Sequence, residues 1–242
     1  MSKTKLIFAL DVSSKQEALE LIDELRDEVG AFKIGLQLFT SEGASFVGQL
    51  VESGLRLFLD VKFHDIPNTV AAAAVEVAKL GVWMFNIHAA GGPEMMKRTV
   101  GDVNSYCAKA GAPVPKILAV TVLTSIDGNM LKAAGVALEP RDLVVKYAMS
   151  ASSCGLDGVI ASPLETGMIR ERLDGKEFLI VTPGVRPAFA TNDDQKRVTT
   201  PKSAVMGGAD FIVVGRPIRM AEDRADAARR IAREMTELSN SI

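Results

Sequence analysis

Cysteine and histidine are scarce in this chain, with two of each among 242 residues. Cys107 and Cys154 cannot build a disulfide framework, and neither stands in a CxxC or Cys/His cluster. Both therefore read as reduced packing residues of a cytoplasmic protein. No HxH or HExxH spacing is present, so no metal centre is expected. No uncharged apolar run approaches the ~20 residues a membrane helix needs. The opening MSKTKLIFALDVSS reaches Asp11 after a short apolar run and does not resemble a signal peptide. An excess of one charge is also lacking: the formal net charge is −2. That balance provides no electrostatic footprint for nucleic acid or an anionic membrane. Linkers and low-complexity tracts are absent, so residues 1–242 are expected to form a single domain.

What is present is a regular alternation. Apolar β-like runs (KLIFALD, AFKIGL, LRLFLDVKF, WMFNIHA, KILAVTVL, DGVIAS, FLIVTPG and ADFIVVG) alternate with helical patterns. The first helix follows Ser13 and Ser14 as candidate caps, with Gln16 or Glu17 placed for a capping box. A second is expected over SEGASFVGQLVESG, and a third enters through Pro67 and closes at Gly81. Others begin near Pro93, Glu139 and Pro163, and a final one fills roughly the last 25 residues. The strands are too apolar to be half exposed. About eight such units point to an α/β fold, a parallel (β/α)8 barrel. An open doubly wound sheet is disfavoured because the first strand–helix turn, ALDVSS, has no GxGxxG. Residues 184–200, GVRPAFATNDDQKRVTT, are polar and irregular and read as a lid-like loop.

In such a barrel the chemistry gathers at the C-terminal strand ends. Those ends carry Asp11, Lys33, Asp60 with Lys62, His88, Thr121 to Thr124, Ser162, Pro183 to Arg186, and Gly215 with Arg216. The two-residue period of a strand puts Asp60 and Lys62 on one face. Lys33, between Phe32 and Ile34, also points into the mouth, and Asp11 ends the neighbouring strand. An alternating Asp–Lys–Asp–Lys network is expected. A purely rigidifying ion-pair network is the plain alternative, but buried pairs contribute little to stability because desolvation offsets their attraction. His64 and His88 read as hydrogen-bonding structural residues. Gly215 and Arg216 after the eighth strand suit phosphate, with Arg186 and Gln195 offered by the loop.

The chain resembles the orotidine 5′-phosphate decarboxylase family, in its bacterial type, at FALD, FKIGLQLF, DVKFHDIPNTV, LTS at 123–125, TPGVR, DDQKR and VVGRPI. These motifs occur in order across essentially the whole chain. The resemblance implies a (β/α)8 barrel acting on a nucleotide as a homodimer with sites at the interface, without metal or organic cofactor. It implies that Lys62 protonates C6 of the pyrimidine and that Asp60 faces the substrate carboxylate. Asp65 would reach the neighbouring subunit's site, with Thr69 near the ribose there. Lys33 and Asp11 match the ribose and network partners, and Thr124 the pyrimidine-edge contact. Arg186, Gln195, Gly215 and Arg216 match the phosphate grip. Related barrels that bind magnesium carry an acidic residue on strand two, where this chain has Lys33.

Overall fold

The computed structural model describes residues 5–173, 177–187 and 199–236. Eight strands run in chain order: β1 (Leu6–Ala9), β2 (Ala31–Gly35), β3 (Leu57–Phe63), β4 (Met84–His88), β5 (Lys116–Val120), β6 (Gly158–Ile160), β7 (Leu179–Thr182) and β8 (Phe211–Val214). Each pairs parallel with the next, and β8 pairs back onto β1 to close the barrel. The expected (β/α)8 architecture is what the chain adopts.

The crossovers are α1 (Lys15–Leu25), α2 (Leu36–Glu52), α3 (Pro67–Lys79), α4 (Gly92–Ala110), α5 (Gly128–Ala133), α6 (Pro140–Ser153), α7 (Thr166–Arg172), α8 (Pro201–Met206), α9 (Arg216–Arg219) and α10 (Arg224–Glu234). Ser14 is the residue that caps α1, its hydroxyl accepting the Glu17 N–H at 3.3 Å. The second helix starts five residues earlier than the expected Ser41, because Gly43 at φ 74° lets two helical pieces join across a kink. The final helix is two pieces. It breaks after Arg219, and Asp223 caps the second piece by accepting the Asp226 N–H at 2.7 Å. The helices α5 and α8 were not legible as periodic segments, each being only six residues long. No described helix is long and apolar enough to cross a membrane.

Strand alternation sorts the side chains into two cores. Outward positions such as Phe8, Phe32, Leu59 and Phe85 join the larger core beneath the helices. Inward positions Ile7, Ala9, Ala31, Phe58, Met84, Leu118, Val120, Ile160, Val181 and Val213 fill the barrel itself. Gly158 is dictated by crowding: a Cβ there would lie 2.2 Å from the Leu179 carbonyl oxygen on β7. The N-terminal end is closed by Trp83 and Phe211, whose rings meet edge-on at 5.1 Å, with the Arg56 guanidinium 3.5 Å over Trp83. Cys107 and Cys154 are both buried, in keeping with packing roles. The apolar filling therefore stops one inward position short of the opposite mouth. The next inward residues are Asp11, Lys33, Asp60 and Asn86.

Candidate active site

Lys33 Nζ lies 3.0 Å from Asp11 Oδ1 and 3.3 Å from Asp60 Oδ2, and Lys62 Nζ lies 2.7 Å from Asp60 Oδ1. The four side chains thus form the alternating chain Asp11–Lys33–Asp60–Lys62. Asp60 is its inner hinge, with side-chain exposure of 11% against 56% for Asp11. Gly35, which sequence reasoning passed over, keeps this arrangement open. A Cβ there would sit 3.1 Å from Lys33 Nζ.

The strand period accounts for Lys33 and Asp60 but not for Lys62. Leu59 pairs with Phe85 and Phe63 with Ile87, so four residues of β3 oppose two of β4 across an irregularity. Within it Lys62 takes φ 54°, the one non-glycine residue with positive φ among those described. Left-handed backbone at a side chain of this size costs ~1–3 kcal/mol and persists where the surroundings over-determine it. Asp60 and Lys62 do face each other as expected, but the agent is this bulge rather than simple alternation.

Sequence reasoning also missed Asn86, the middle residue of β4. It is completely buried. Its Oδ1 accepts the Lys62 backbone N–H at 2.8 Å, and its Nδ2 donates to Asp60 Oδ1 at 2.7 Å. The signal was available: Met84, Asn86 and His88 share one strand parity, and Met84 points into the barrel.

Two adjoining cavities open at this mouth. One, of about 240 Å³, is lined by Asp60 and Lys62 on one side and by Val122, Leu123, Thr124, Ile160 and Pro183 on others. The second, of about 270 Å³, holds Asp11, Arg186, Gly215 and Arg216. Lys33, Asp60, Pro183 and Val213 line both. The result is one elongated site with a mainly apolar compartment at one end and two arginines at the other. Its size is that of a small-ligand site, ~300–1,000 Å³. A larger hollow of about 610 Å³, lined by Glu139, Arg141, Leu164 and Glu165 among others, shares no residue with the network.

Gly215 lies so close to β1 that a Cβ would come within 3.3 Å of both Ala9 Cβ and Asp11 Oδ2. The Arg186 N–H donates to the Thr199 carbonyl at 3.0 Å, beside the Val185–Thr199 bridge that brings the two ends of the loop together. Gln195 and most of the expected lid lie outside the described residues. Asp65 and Thr69 are exposed and line neither cavity, so the site of this one chain does not gather them. Asp65 Oδ1 accepts the N–H of Ile66 at 2.6 Å.

The rings of His64 and His88 stack at 5.2 Å with a 33° tilt. Among the described residues, no three His, Cys, Asp or Glu side chains are grouped as metal ligands would be. Burial lowers the His88 pKa below its ordinary value, with His64 and the Lys62 ammonium adding to the effect and Asp60 opposing it. The unfolded chain therefore binds this proton first. The associated stability is full above about pH 6.5 and declines as pH falls through that value towards the lower pKa of the folded state. Urea midpoints at pH 7.5 and 5.5 should fall further for the parent than for His88→Gln. Equal falls would remove His88 as the source.

A family profile described as "Orotidine 5'-phosphate decarboxylase / HUMPS family" matches residues 4–231. The chain is 50% identical over 238 residues to the orotidine 5′-phosphate decarboxylase of Syntrophomonas wolfei, covering 98% of this chain and 99% of that one. It is 50% identical over 234 residues to that of Syntrophotalea carbinolica, covering 97% and 96%. Among solved structures, orotidine 5′-phosphate decarboxylase from Lactobacillus acidophilus superposes with a TM-score of 0.83 at 38% identity, covering 95% of this chain and 98% of the other.

Proposed function

The chain belongs to the orotidine 5′-phosphate decarboxylase/HUMPS family, and from that membership we propose that it is a carboxy-lyase converting orotidine 5′-monophosphate to UMP in pyrimidine nucleotide biosynthesis. The observation that carries the reading is the placement of Lys62. Its ammonium lies 2.7 Å from a nearly buried carboxylate and borders the apolar compartment.

The pyrimidine occupies that compartment, with Thr124 at its edge, and the phosphate lies between Arg186, Arg216 and the bare backbone of Gly215. Forked guanidinium donors suit phosphate oxygens. Gln195 is assigned to the same grip as part of a lid. Lys33 and Asp11 meet the ribose hydroxyls midway. When the C6–carboxylate bond breaks, CO2 leaves and the electron pair stays on C6. Lys62 stabilises that charge and transfers one ammonium proton to it, giving UMP, and solvent then reprotonates the amine. Asp60 faces the substrate carboxylate, a repulsion relieved as CO2 departs, and its Oδ1 orients the Lys62 ammonium at 2.7 Å. The phosphate grip contributes binding energy away from the reacting bond.

The cationic group beside the reacting carbon is an ammonium, so the reading takes no metal and no organic cofactor. The protein acts as one domain and as a homodimer in the cytoplasm, without nucleic-acid or membrane partners. Asp65 and Thr69 complete the partner's site. Ile66, 66% exposed beside Asp65, supports a covered face there. The test is incubation with orotidine 5′-monophosphate in excess EDTA, followed by pyrimidine absorbance. Conversion to UMP is expected. No conversion would overturn the activity, and conversion abolished by EDTA would overturn the metal-free mechanism.

A further inference from the structure

We propose that Asn86 is a positioning residue for this reaction, holding Lys62 and Asp60 in register through one side-chain amide; the inference rests on the decarboxylase reading above. The irregular pairing of β3 with β4 takes the Lys62 N–H out of the ordinary ladder, and that N–H donates to Asn86 Oδ1 at 2.8 Å. The other end of the same amide donates to Asp60 Oδ1 at 2.7 Å, the oxygen that also accepts Lys62 Nζ at 2.7 Å. A closed circuit results: Lys62 backbone, Asn86, Asp60 carboxylate, Lys62 ammonium.

Each part of the circuit constrains another. The amide acceptor fixes the left-handed backbone at Lys62, and this backbone turns the side chain back towards Asp60. The amide donor fixes the rotation of the Asp60 carboxylate, which leaves Oδ2 to Lys33 at 3.3 Å. Only a primary amide presents a donor and an acceptor in this geometry without charge. A carboxylate in its place would set two anionic oxygens against each other, and an alkyl group would leave the half-buried Lys62 N–H without its acceptor. Asn86 lines neither cavity. It therefore acts on the rate through Lys62 and Asp60 and has little direct part in binding the nucleotide.

Two variants separate the halves of this device. Asn86→Ala removes both bonds; Asn86→Asp is isosteric and keeps the oxygen facing the Lys62 N–H while losing the donor to Asp60. The measurements are kcat and KM for orotidine 5′-monophosphate, calorimetric UMP affinity, and amide hydrogen exchange at Lys62. A misplacement of about 1 Å at a reacting group costs on the order of 10²-fold in rate, so kcat should fall by about that factor in both variants. KM and UMP affinity should stay within about threefold of the parent. Exchange at Lys62 should accelerate in Asn86→Ala and stay slow in Asn86→Asp, a pattern that general loosening of the barrel would not produce. Parent-level kcat in either folded variant, or a loss carried by KM, overturns the inference. Parent-like exchange at Lys62 in Asn86→Ala overturns it by a route that needs no turnover. A parent that does not decarboxylate the substrate overturns instead the functional reading beneath it.

Discussion

Replacing Lys62 with alanine should lower kcat by about five orders of magnitude while UMP affinity changes by less than tenfold. Two separate contributions disappear with one side chain. A positioned proton donor supplies ~10²–10⁴-fold, and an oriented charge at the developing anion supplies on the order of 10²–10³-fold. An interaction of about 4 kcal/mol, as expected for unit charges 4 Å apart at an effective dielectric of 20, matches the second figure. Binding should survive because the arginines and Gly215 line the adjoining cavity, where Lys62 is not part of the wall. The loss should therefore fall on kcat, the mark of an interaction made in the transition state. Single-turnover absorbance measurements give the rate and calorimetry the UMP affinity. Turnover within tenfold of the parent would remove Lys62 from its assigned role.

The parts of this site that were legible in the sequence are those that obey a short-range rule. Asp11, Lys33 and Asp60 were found because a strand alternates its faces every residue and because a parallel barrel puts its chemistry at one set of ends. Lys62 was placed on the correct side by the same rule, although its geometry has another origin. The left-handed backbone at φ 54° arises from pairing with β4, 24 positions away, and no window around DVKF contains that information. Asn86 shows a different failure. Its inward parity was readable, but an amide within WMFNIHA has neither charge nor motif to draw attention. Helix limits were lost where glycine or a cap acts alone, as with the kink at Gly43 and the restart at Asp223. Thr124, Arg186 and Arg216 border the cavities as expected, yet their proposed contacts derive from resemblance, since strand parity says nothing of what a loop residue touches.

Asp65 presents the sharpest case, because its proposed task requires a second copy of the chain. In one subunit its side chain is exposed, accepts the N–H of Ile66 and lines neither cavity. A carboxylate so placed has no route to its own Lys62 that the geometry displays. If it serves the partner's site, Asp65→Ala alone should reduce kcat by roughly 10²-fold or more, the scale of losing one oriented charge at a reacting centre. Mixing then separates this from a local effect. In a two-fold dimer, each site combines Lys62 of one subunit with Asp65 of the other. When Asp65→Ala and Lys62→Ala subunits assort at random, about half the dimers are mixed. Each mixed dimer has one site carrying both defects and one site carrying neither. Activity should therefore recover to about a quarter of the parent value, from two preparations that are each nearly inert. Co-expression with distinct tags and isolation of the doubly tagged dimer would raise this to about half. A mixture no more active than its components would place Asp65 in its own subunit's site or in none.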